Sequence, residues 1–338
     1  VFGNTISFIC SWALLLGYMG VVAFEIVVFP FVLAYLLPAI NVGFLWNFEG
    51  YDVYLGQIAI GIGTAVIITL INVRGITSSA RLQANVTLLI LLAGLILLVG
   101  TAKQETWVEV PGFLDSIGPG IFSVLIMLPM MFVGFDIIAQ TAQEIDLKPQ
   151  QIGRLIIISV ICAAIFYALA VISVGLVLGE SASNVKFPTA FAAKLGWNGN
   201  EWAKHLIIFG GIAGILTSWN GFLVGASRLI YEMSKDGQLP AWLAGGSQGN
   251  QAFAPTRVLW VLCVVSCIAP WFGRSTLIWF LDAGSLGVVV AYFFVVLVFI
   301  KLRYTEPDRQ RPYRAPFGKV LGLLALASTL FIGTLYFP

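Results

Sequence analysis

The chain has 338 residues, of which 59% are hydrophobic and only 10% charged. Soluble globular domains carry roughly 45–50% apolar and about 25% charged residues, so a water-soluble fold is excluded. The net charge of +2 is too small for a nucleic-acid surface. Because the sequence starts at Val1 and ends at Pro338 directly after an apolar run, it is expected to be an internal piece of a longer polytopic membrane protein.

Apolar runs bounded by charge or by Pro/Gly clusters fall at Thr5–Leu37, Leu55–Val73, Leu82–Ala102, Ser116–Gln143, Leu155–Gly179, His205–Ser227, Val258–Gly273, Thr276–Ile300 and Phe317–Phe337. Most approach the ~20 residues that a helix rising ~1.5 Å per residue needs to cross a ~30 Å hydrocarbon core. A β-barrel calls instead for ~10-residue segments alternating apolar and polar, and these runs are apolar all round. The expectation is nine spans forming one transmembrane domain over residues 1–338, lying in a lipid bilayer.

Orientation follows from the basic residues. If the spans alternate, Lys103, Lys186, Lys194, Lys204 and Arg274 lie on one side. The remaining thirteen of the eighteen Lys and Arg lie on the other, which the positive-inside rule assigns to the cytoplasm. Val1 falls on that cytoplasmic side. Trp46, Trp107, Trp202, Trp242 and Trp271 sit near span ends, as interfacial anchors do.

The informative residues are those ill suited to a membrane. Glu25, Asp136 and Asp282 fall inside apolar runs. A charge there costs several kcal/mol, so such groups face a bundle interior or a water-filled cavity. Burial disfavours the anion, making them candidates for proton uptake and release. A neutral acid hydrogen-bonded to a facing helix accounts for the same residues. Asp136 stands apart by its context, Pro129-Met130-Met131-Phe132-Val133-Gly134-Phe135-Asp136. Proline removes a backbone donor and glycine weakens the helix again, which predicts an interrupted span. Interrupted spans are tolerated where their freed backbone groups line a cavity, and secondary transporters bind substrate and ions with those groups. A plain proline kink is the alternative. In the sixth span, Asn220 is a strong hydrogen-bonding side chain among glycines, either interhelical glue or a cavity group.

Enzyme chemistry finds little support. The sequence has no phosphate-binding Gly loop and no HExxH, and its one histidine is His205. Cys10, Cys162, Cys263 and Cys267 all lie in apolar runs and read as packing residues, so neither a metal nor another cofactor is expected.

Four segments carry a resemblance. Gly225-Ala226-Ser227-Arg228-Leu229-Ile230-Tyr231-Glu232-Met233-Ser234-Lys235-Asp236-Gly237-Gln238-Leu239-Pro240 resembles the eighth helix, and the loop after it, of the amino acid–polyamine–organocation (APC) superfamily permeases. Phe132–Asp136 with Thr141-Ala142-Gln143-Glu144 is similar to that family's broken sixth helix. Asn72-Val73-Arg74-Gly75 with Ser79-Ala80-Arg81-Leu82-Gln83 resembles the start of the fifth. Arg303-Tyr304-Thr305-Glu306-Pro307-Asp308 with Arg311-Pro312-Tyr313-Arg314-Ala315-Pro316-Phe317 resembles the loop before the eleventh.

The resemblance implies an all-α bundle with helices three to eleven of an incomplete leucine-transporter-like five-plus-five inverted repeat. It implies that Phe132, Val133 and Gly134 hold the substrate's amino or carboxylate group and that Phe135 packs over the pocket. Ser11 and Asn220 would line the facing walls, with Asp136, and secondarily Glu25, in proton coupling. The lysine that some proton-coupled members carry midway along the fifth helix is replaced here by Ile90. The expected function is secondary transport of amino acids or related amines by alternating access, coupled to H+ or Na+ or run as exchange. A ligand-binding sensor on the same fold is the alternative. The plasma (inner) membrane is the expected location.

Overall fold

A computed structural model describes residues 1–74, 79–104, 107–108, 113–140, 148–244, 256–311, 313–315 and 317–337. The segments 75–78, which hold Gly75, and 141–147, which hold Thr141 to Glu144, lie outside the described residues.

The fold is helical: α1 Asn4–Leu36, α2 Leu55–Val73, α3 Ser79–Ala102, α4 Phe113–Phe132, α5 Phe135–Gln140, α6 Pro149–Leu178, α7 Pro188–Gly196, α8 Glu201–Lys235, α9 Thr256–Ser266, α10 Thr276–Thr305 and α11 Gly318–Thr334. Among the described residues, seven helical segments are long and apolar enough to cross a membrane, and α9 and α11 are shorter apolar helices. Each follows one of the apolar runs in the sequence. The seventh run differs in detail, because α9 stops at Ser266 and a 3-10 helix at Ala269–Ser275 follows. Pro270 stands in its first turn, and Gly273 adopts φ +64, which ends any continuous helix.

Two features had no counterpart in the sequence reading. One is α7. The other is an antiparallel hairpin of β1 (Phe44–Phe48) and β2 (Tyr51–Tyr54) between α1 and α2. Its turn places Glu49 and Gly50 at positive φ, and the Asn47 side chain accepts from the Gly50 amide at 3.0 Å.

The chain divides into two compact units. In the first (Val1–Gly75, Ile121–Ile157 and Trp219–Pro338), α1 packs along α10. The crossing is built on small residues: a Cβ on Gly17 would meet Val288 at 2.6 Å, and one on Gly287 would meet the Ala13 carbonyl at 2.5 Å. Without a hydrophobic driving force between helices in lipid, such close backbone approach is a main source of association. Pro30 lies inside α1 and has no N–H for the Ile26 carbonyl four residues earlier. Gly61 of α2 lies against that carbonyl, where a Cβ would come within 2.6 Å. In the second unit (Ile76–Gly120 and Ile158–Ser218), Leu97, Leu178, Ala192, Ala193 and Ala203 form a buried cluster. Trp197 closes it by donating to the Ile96 carbonyl at 2.9 Å.

Candidate functional site

The fourth span is interrupted where its sequence foretells. α4 ends at Phe132, α5 begins at Phe135, and Val133 and Gly134 form the turn between them. The last α-helical bond of α4 runs from the Val133 amide to the Pro129 carbonyl, at 3.1 Å. Gly134 then takes φ +119, a conformation L side chains rarely adopt. A side chain there would also meet the Phe222 ring of α8, 3.2 Å from its Cβ.

Asp136 holds the break in place. One carboxylate oxygen accepts from the Gly134 amide at 2.8 Å, and the other accepts from the Tyr18 hydroxyl of α1. Both oxygens are therefore engaged. Tyr18 is wholly buried, and its ring packs on Phe222 with centroids 5.5 Å apart. The Tyr292 hydroxyl of α10, also buried, lies in the field of Asp136 but outside full hydrogen-bond geometry. The Tyr292 ring meets Phe135, with centroids 5.5 Å apart. Three aromatic residues, Tyr18, Phe222 and Tyr292, thus surround the interruption.

Other sequence candidates fall nearby or elsewhere. Asn220, on α8, accepts from the Asn72 side-chain amide of α2 at 2.6 Å. The same Asn72 amide donates to the Ile68 carbonyl at 2.8 Å. Asn220 is therefore engaged as interhelical glue. Glu25 is buried in α1. Ser11 lines a separate cavity of about 230 Å³ with Val1, Phe2, Cys10 and Phe294. Asp282 is exposed on α10 rather than turned into the bundle. Ile90 of α3 packs against Gly214 of α8, where a Cβ would sit 3.4 Å from it.

Sequence reasoning missed Tyr18, Phe222 and Tyr292, because an aromatic residue in an apolar run reads as core. A signal was present for Tyr18. Ser11, Tyr18 and Glu25 recur every seven residues, and at 3.6 residues per turn that puts all three on one stripe of α1.

A polytopic bundle of apolar helices, one of them broken mid-span around a carboxylate that ties the break to its neighbour, defines an all-α membrane protein of the transporter kind. A family model for amino acid permeases matches residues 1–338, and the chain belongs to that family. It is 25% identical to a methylthioribose transporter of Bacillus subtilis, over 97% of this chain and 71% of the relative. It is 27% identical to the branched-chain amino acid permease BcaP of Lactococcus lactis, over 98% of this chain and 73% of the relative. The same identity, 27%, relates it to the vacuolar cationic amino acid transporter 4 of Arabidopsis thaliana, over 90% of this chain but only 51% of the relative. These relatives bear the names of transporters, not of enzymes.

Proposed function

We propose that the full-length protein is a secondary transporter of amino acids or related amines. It works by alternating access, driven by protons or run as exchange. The arrangement of Gly134, Asp136 and Tyr18 at the helix break carries this reading. A helix interrupted in mid-span exposes backbone N–H and C=O groups that match the carboxylate and ammonium of an amino acid. Val133 and Gly134 supply that backbone, and Phe132 and Phe135 flank it. The names of the relatives favour amino acids as the substrate class.

Asp136 acts in this scheme as the proton-responsive group. As a carboxylate it accepts from both the Gly134 amide and the Tyr18 hydroxyl. Protonation turns one oxygen into a donor and weakens the hold on the break and on α1 together. Glu25, two turns from Tyr18 on the same stripe, is a second site for the proton. We place the protein in the plasma (inner) membrane, and the distribution of Lys and Arg supports a cytoplasmic Val1 end.

Counterflow in liposomes containing the full-length protein tests the reading. Saturable exchange of an amino acid or amine is expected. Its absence across a panel of neutral, cationic and acidic amino acids and amines would reject it.

A further inference from the structure

The connection from α10 to α11 has no part in the proposed transport site, yet it is the most basic segment of the chain. Residues 301–319 hold six Lys and Arg against two acids, Glu306 and Asp308. We propose that this connection is a membrane-interface platform, with Arg314 and Lys319 binding phosphates of anionic phospholipids and Phe317 inserted among the headgroups.

Several of its described residues are tied to their surroundings. Arg311 donates to the carbonyls of Leu302 at 2.9 Å, Glu306 at 2.7 Å, Pro307 at 3.2 Å and Arg309 at 3.3 Å. It thereby ties the Leu302 carbonyl near the end of α10 to three carbonyls of the connection beyond it. Arg303 stacks over Phe299, 5.0 Å from the ring centroid, and its guanidinium lies against Gly318, where a Cβ would meet it at 2.8 Å. On the far side, Tyr313 packs against Gly153 of α6, 2.8 Å from where its Cβ would be. Arg309 is spent on Glu306, at 2.8 Å. Exposed Arg314 and Lys319 remain directed outward, with Lys319 over the Tyr304 ring at 4.8 Å.

Phe317 is the decisive residue. It caps α11 from the left-handed region, φ +48 and ψ +33, and its ring is 83% exposed. A bulky side chain is disfavoured in that conformation, and an exposed ring adds the cost of apolar surface in water. Glycine would avoid both penalties. An exposed phenylalanine between Arg314 and Lys319 fits the boundary of an anionic bilayer, which takes up the ring and pairs with the charges.

The test uses the full-length protein in nanodiscs of phosphatidylcholine alone or with phosphatidylglycerol, with retained lipids counted by native mass spectrometry. Wild type should retain phosphatidylglycerol preferentially. R314Q and K319Q should each lower that preference by about fivefold. A photoreactive benzoyl-phenylalanine at position 317 should crosslink to lipid, and Phe317→Gly should lower phosphatidylglycerol retention without lowering the melting temperature. Equal retention of the two lipids by wild type, or a crosslink from position 317 to protein, would overturn the proposal.

Discussion

The Tyr18 hydroxyl donates to the Asp136 carboxylate across 118 positions of sequence, joining α1 to the interrupted span. The same carboxylate accepts from the Gly134 amide, so one side chain fixes both the turn and its distance from the neighbouring helix. A hydrogen bond to a charged group contributes about 1.5–3 kcal/mol. Tyr18→Phe removes it while keeping the ring packed on Phe222. Transport is expected to fall by roughly 10- to 100-fold, the factor those energies convert to, with the melting temperature little changed. An undiminished rate would show that the bond has no part in the transport cycle.

Gly134→Ala tests the break itself. Its backbone conformation is unfavourable to any side chain by about 1–3 kcal/mol, and the Phe222 ring leaves little room for a Cβ. Loss of transport is expected, and Phe222→Ala should not rescue it, because the backbone penalty remains. Rescue by that second change would assign the effect to packing alone.

Two helix-packing glycines should respond differently to alanine. At Gly61 the added methyl would press on the Ile26 backbone carbonyl, which cannot yield without moving α1 from α2. At Gly284 it meets the flexible end of Met130, 2.7 Å away. Gly61→Ala should destabilise by about 1–3 kcal/mol and Gly284→Ala by well under that. Thermal unfolding in detergent measures both, and the reverse ranking would contradict the packing described.

The hairpin offers a pH readout. Partial desolvation of Tyr54, followed by the Asp52 carboxylate, which accepts from its hydroxyl at 3.3 Å, pushes the phenol above its ordinary value near 10. The folded state then favours the neutral phenol. Its contribution is complete below the unfolded value and is lost as pH rises through the raised one. Ultraviolet titration of wild type and Tyr54→Phe should differ by the loss of one late-ionising tyrosine in the variant; an unchanged titration curve would refute this.

Much of this was legible from the residues. Span limits such as Leu55–Val73 follow from apolar length alone, and the interruption at Val133–Gly134 follows from the removal of a donor by Pro129 and the weakness of Gly134. What the sequence could not supply was partnership over distance. Nothing local to Tyr18 says that its hydroxyl meets Asp136, and nothing local to Tyr292 says that it faces the same carboxylate. Asn220 stood open between glue and cavity group, and only the position of Asn72 on α2 engages it. Asp282 shows the opposite failure, since its depth in an apolar run says nothing of which way its helix face turns.

The pH profile of exchange by wild type and Asp136→Asn, measured in the same proteoliposomes, bears most directly on the central claim. With Asp136 as the proton-responsive group, wild-type exchange changes across the pH range assayed. The variant, which cannot ionise, should run flat over that range with its KM little altered. Parallel profiles for the two proteins would remove Asp136 from the coupling role.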